Sequence, residues 1–256
     1  MDAILSITNE RVVPVLEQWG AVDTVLVLRF GGDRYDPSFF ISYDVCFRDD
    51  IPQVDQREKD LSFVVSFETT LDGQKDRFLV DDVPVRLEYK SIPEIDGFIA
   101  DAFSHERTAT VMHDTYGFFR IVHGQELLVR SEWLQKTREE LKKLPDHFWD
   151  RQVWFHRARM DHSLADLSSA AFAGEELFFQ LSLAAFLQNL SSLLFAINRQ
   201  FEPSGRSLRP ALQDLAVQPE EFGTRLEYLL NSDGPVNRKR KREIAQLIAR
   251  SVLRLQ

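Results

Sequence analysis

The sequence predicts an α+β chain in which a mixed sheet with flanking helices precedes an all-α helical bundle, and three observations carry that reading. Short β-branched and aliphatic runs recur from Val22 to Tyr89. Beyond roughly Ile92 the apolar residues take up helical spacing instead. The stretch from Leu177 to Ile197 contains no charged residue, as a helix at the centre of a bundle requires.

Taken in order, Glu10 to Trp19 places Val12, Val13, Val15 and Leu16 at helical spacing, and Gly20 supplies a stop. The run VDTVLVLRF, Val22 to Phe30, reads as a strand that enters Gly31-Gly32, where the backbone can turn tightly. A second strand follows from Phe39 to Phe47. Ser62 to Thr69 alternates as a third, Leu71-Asp72-Gly73 reads as a turn, and Arg77 to Val80 and Pro84 to Tyr89 return as further strands. Helices then occupy Trp133 to Leu144, Asp146 to Met160, Glu175 to Arg199, Leu208 to Val217, Glu220 to Leu230 and Asn237 to Leu255, with Pro145, Pro203 and Gly205 as breaks. Residues 1–125 are expected to form the α/β head and residues 126–256 the bundle.

The totals exclude several classes of function. A formal net charge of -9 argues against a surface for nucleic acid, because phosphate-backbone binding draws its affinity from clustered Lys and Arg. The basic run Arg238 to Arg242 reads as the solvated face of a helix. One cysteine, Cys46, leaves no internal disulfide, and the start MDAILSITNE lacks a basic region followed by an apolar core, so a cytoplasmic location is expected. The uncharged run is long enough to span a bilayer, but Gln180, Ser182, Gln188, Asn189, Ser191 and Ser192 interrupt it, which predicts burial in protein rather than lipid. The six histidines offer no zinc-ligand spacing, and His156 and His162 are read as packing or surface residues.

The arrangement with chemical content is Phe30-Gly31-Gly32, a spacer, and the strand FISYDVCF, in which Asp44 stands twelve positions after Gly32. It resembles the nucleotidyltransferase superfamily that includes the aminoglycoside and lincosamide nucleotidyltransferases. Their signature is a hydrophobic residue, Gly, Gly or Ser, a spacer, and two acidic residues alternating with apolar ones. The stretch LLFAINRQFEPSGRSL similarly resembles the bundle segment of uncharacterised nucleotidyltransferase-like proteins. The resemblance implies transfer of a nucleoside monophosphate from a nucleoside triphosphate to a hydroxyl of a small molecule or protein, with Mg²⁺ as cofactor. It gives Gly31 and Gly32 the phosphate loop, Asp44 and Glu88 the metal and catalytic carboxylates, and Arg199 and Arg206 the phosphate oxygens.

Cys46 departs from the pattern. Alternate residues of a strand share a face, so the family's second carboxylate would stand where this chain has a thiol, and a hard cation prefers oxygen to sulfur. Three readings follow: a metal-dependent transferase, a catalytically inactive relative that binds or regulates, and a helical-bundle interaction protein whose head is scaffold.

Overall fold

The computed structural model describes residues 3–30, 39–105, 114–231 and 237–255. Gly31 and Gly32, the expected phosphate loop, lie outside the described residues. The chain divides into two compact units, Met1–Met112 with Gly117–Lys143, and His113–Tyr116 with Leu144–Gln256.

In the first unit the elements run α1 (Ala3–Gln18), β1 (Val22–Phe30), β2 (Phe40–Phe47), α2 (Val54–Asp60), β3 (Val65–Thr69), β4 (Lys75–Val80), β5 (Val83–Ser91), α3 (Ile92–Phe103), α4 (Tyr116–His123), β6 (Gln125–Val129) and α5 (Trp133–Leu141). Tyr116, the first residue of α4, clusters with the second unit. The six strands form one mixed sheet in the order β3-β4-β5-β2-β1-β6, with β2 and β5 parallel and the other neighbours antiparallel. Strand alternation then sorts side chains between the two faces. Val25, Val27, Ile41, Tyr43, Val45, Val85 and Leu87 build a core with Leu5, Val12 and Leu16 of α1. Ser42, Asp44 and Cys46 fall on the opposite face, where Arg120 of α4 reaches Ser42 and Asp44.

Arg120 ties α4 to that face, and two details shape the ends of the helix. Asp114 accepts a hydrogen bond from the Tyr116 amide at the start of the helix (2.8 Å). At the other end, a Cβ added to Gly124 would lie 2.7 Å from the Arg120 carbonyl oxygen and 2.9 Å from Leu26 Cβ. Only glycine allows the turn from α4 into β6 to sit this close to β1.

The short elements depart from the sequence expectation. β6 is a strand in a region read as helical, and its five residues, QELLV, are too few and too polar to show a period. α2 falls in a stretch for which the pattern predicts no element, and Leu61 is buried beside it. The first helix begins at Ala3 rather than Glu10, and Pro14 is accommodated inside it.

The second unit contains α6 (Asp146–Ala173), α7 (Glu176–Ile197), α8 (Leu208–Gln213), α9 (Phe222–Leu230) and α10 (Asn237–Val252). α6 runs 13 residues beyond Met160 and ends at Gly174, whose left-handed φ of 76° allows the tight reversal into α7. α7 is long and apolar enough to cross a membrane by length and composition. Here Phe179, Leu183, Phe186, Leu190, Leu193 and Leu194 instead form the core with Met160, Leu167 and Ala170 of α6 and Ile244, Ile248 and Val252 of α10. The basic run at the start of α10 is built into the unit: Arg238 pairs with Glu176, Arg240 with Glu243, and Lys241 is buried.

Candidate functional site

β2 and β5 are hydrogen-bonded in parallel with Asp44 directly opposite Glu88, Ser42 opposite Arg86, and Cys46 opposite Lys90. The two predicted carboxylates are therefore brought together on one face of the sheet. Asp44 is completely buried, and the Glu88 side chain is 13% exposed. Their partners decide what this pair can do.

Arg120 lies over them from α4. Its Nε donates to Asp44 Oδ2 (2.7 Å), its Nη2 donates to Asp44 Oδ1 (2.5 Å) and to Ser42 Oγ (2.8 Å), and its Nη1 stands 3.7 Å from Glu88 Oε1. Lys90 Nζ adds a second cation 3.0 Å from Asp44 Oδ1. Glu88 is flanked in turn by Arg86 Nη1 (3.6 Å) and Lys75 Nζ (3.7 Å). A planar guanidinium that meets both oxygens of a buried carboxylate is the strong, orientation-specific form of this contact. It also occupies the lone pairs that a metal would use.

Arg120 and Lys90 are absent from the residues the sequence singles out, although signals for both are present. Arg120 is the single charged side chain in the apolar run GFFRIV, and a charge at a core-facing helical position requires a buried partner. Lys90 stands two residues after Glu88, hence on the same strand face.

Cys46 is buried on this face, and burial together with the neighbouring Asp44 carboxylate pushes its thiol well above the usual range, so it stays protonated. The described residues do not fit a divalent cation. Asp44 is committed to Arg120 and Lys90, Cys46 offers a protonated sulfur, and Lys75, Arg86, Lys90 and Arg120 surround only two carboxylates. Among the described residues no group of three or more His, Cys, Asp or Glu is placed to hold a metal ion. What the arrangement suits is an anion. Arg86 lies over the Phe40 ring (4.6 Å to its centre), and its Nε is buried without a hydrogen-bond partner among the described residues.

The predicted arginines belong to the second unit. Arg199 is exposed just after α7, in a left-handed conformation (φ 53°), with Nη1 2.8 Å from Asp146 Oδ1. Its neighbour Asn198 braces the chain, because its side chain donates to the Val217 carbonyl and accepts from the Val217 amide, both at 2.8 Å. Arg206 is exposed in the turn before α8.

A family model described as a domain of unknown function, DUF4037, matches residues 111–206. No curated protein matches the sequence. Among solved structures, the crystal structure of a nucleotidyltransferase-like protein from Exiguobacterium sibiricum is similar over 96% of this chain and 74% of that one, with a TM-score of 0.50 and 12% identity. The fold is nucleotidyltransferase-like. That agrees with the α+β class read from the strand and helix signals. Within the nucleotidyltransferase-like fold, the DUF4037 segment contains Arg120 but neither Asp44 nor Glu88.

Proposed function

We propose that this protein is a catalytically inactive nucleotidyltransferase-fold protein that serves as a binding or regulatory module. The observation that carries the reading is the buried Asp44 carboxylate held by Arg120 on both oxygens and by Lys90 on one. Freeing that carboxylate for a metal would strand the buried Arg120, and removing one partner of such a pair costs about 3–5 kcal/mol. The basic groups Lys75 and Arg86 beside Glu88, with Lys90 beside Asp44, support retention of a nucleotide's phosphates by direct charge pairing, without a metal bridge.

A second reading is transfer of a nucleoside monophosphate to a hydroxyl, favoured by the register that sets Asp44 opposite Glu88. In that reaction the acceptor oxygen bonds to the α-phosphorus, the bond to the bridging oxygen breaks, and pyrophosphate leaves while a carboxylate takes the acceptor proton. One experiment separates the two. The protein is incubated with each nucleoside triphosphate, with Mg²⁺ or with EDTA, and both pyrophosphate release and melting temperature are followed. Stabilisation by nucleotide in EDTA with no pyrophosphate release is the expected result. Mg²⁺-dependent release that Asp44→Asn abolishes would establish the transferase instead.

A further inference from the structure

The second unit contains a cavity of about 460 Å³. It lies where the N-terminal half of α6 faces the C-terminal half of α7, closed on one side by residues 202–205 and by Asp114 and Tyr116. The volume is in the range of small-molecule sites. Its polarity is at odds with its surroundings. Farther along the same pair of helices the contact is apolar, with Met160, Leu167 and Ala170 against Phe179, Leu183 and Phe186. At the cavity, buried His156 and Asn189 take those places.

Polar groups inside a helical bundle destabilise it unless each finds a partner, so a concentration of them around a void points to a ligand. Several are already positioned. Ser192 Oγ donates to Glu202 Oε2 (2.6 Å), and the Glu202 amide donates to Thr115 Oγ1 (2.9 Å), which fixes the carboxylate at the wall. Ser204 lines the cavity, and its Oγ is buried with no hydrogen-bond partner among the described residues. Asn189 donates an amide hydrogen to the Ala185 carbonyl (2.8 Å), and its side-chain oxygen is an acceptor.

The charges set the ligand's sign. Glu202 and Asp114 both line the cavity, and burial together with the Asp114 charge pushes the Glu202 carboxyl above its usual range. The rings of Phe155 and Tyr116 supply negative π-faces. Arg159 is exposed, with its guanidinium laid over the Phe155 ring (5.6 Å), so a cation already uses one of these faces. All the residues that line the cavity, from Asp114 to Gly205, lie inside the segment 111–206 matched by the DUF4037 model. That segment ends where the cavity wall ends.

We propose that this cavity binds a small organic cation, its ammonium group facing the Asp114 and Glu202 carboxylates and packed against the aromatic wall. The site is built within the second unit and is indifferent to whether the sheet-face cluster catalyses. Choline tests it, with the uncharged isostere 3,3-dimethyl-1-butanol and inorganic phosphate as controls, by thermal shift and calorimetric titration on the full chain. Choline should stabilise the protein and both controls should not. Glu202→Gln keeps an acceptor for Ser192 but removes the charge, and should weaken choline binding by about tenfold or more. Should that variant fold poorly, Asp114→Asn carries the same expectation. Equal binding of choline and its isostere, preference for phosphate, no binding by choline, or full choline affinity in both variants would overturn the assignment.

Discussion

The sheet face of the first unit and the cavity of the second are both polar places in otherwise apolar packing, and they resolve that polarity in opposite ways. Around Asp44 the charges answer one another: guanidinium and ammonium converge on one buried carboxylate, and the guanidinium also donates to the Ser42 hydroxyl. Among the described residues the Glu202 carboxylate has one hydroxyl partner, and the Ser204 hydroxyl at the cavity wall is buried without one. A cluster that satisfies itself needs no ligand to be stable, whereas a polar wall around an open volume is completed only by water or a ligand. The sheet face is thus proposed to retain a nucleotide's phosphates through its surplus basic groups, and the cavity to hold a cation.

The largest effect should come from breaking the self-satisfied cluster. Arg120→Met leaves Asp44 buried with only Lys90 and should cost about 3–5 kcal/mol in a denaturant melt. Adding Asp44→Leu removes the stranded carboxylate and should recover most of that loss, since hydrophobic replacement of a buried pair is often neutral. A double variant as unstable as the single one would show that Arg120 acts through packing rather than through its charge partner. It would also remove the main reason for regarding Asp44 as unavailable.

Cys46→Asp is the next largest. The resemblance in the sequence motif implies a second carboxylate at this position, but the side chain is completely buried beside Asp44, so a new acid there either stays protonated or repels its neighbour. A loss of a few kcal/mol with no gain in Mg²⁺-nucleotide binding is expected, on the scale of burying an unpaired charge. Tighter metal-nucleotide binding by a variant of wild-type stability would mean that the face can reopen as a metal site, and the contrast between the two regions would fail.

What the sequence makes legible follows the length of its signals. The central strands Val22–Phe30 and Phe40–Phe47 and the long helix Glu176–Ile197 are readable because a sustained run shows its period. β6 is not, because five residues cannot show one and its place in the sheet comes from pairing with β1. Asp44 and Glu88 can each be placed on a strand from the sequence, but that they stand opposite on one face comes from the parallel pairing of β2 with β5. The partners that change their meaning come from elsewhere: Arg120 lies 76 positions along the chain, and only the packing of α4 over the sheet brings it there. The cavity is illegible for the same reason. Its walls come from four separate stretches, and His156 and Asn189 pass for ordinary residues of amphipathic helices until the helices are paired.

The smallest effect is a slope rather than a loss of fold, and it sharpens the comparison from the cavity's side. Glu202 holds its proton to higher pH in the folded protein than in the unfolded chain, first because it is buried and also because Asp114 repels its charge. Across the span just above the ordinary carboxylate range the folded state therefore binds more protons, and stability should fall as pH rises through that span. Glu202→Gln should flatten the curve. An ammonium ion in the cavity favours the ionised carboxylate, so choline should bind more tightly as pH rises through the same interval. The other titratable and charged groups facing the cavity are Asp114, Tyr116, His156 and Arg159. His156→Gln tests whether the imidazole contributes instead. If the pH dependence of choline binding persists in Glu202→Gln but disappears in His156→Gln, the histidine rather than the carboxylate governs the cavity's charge.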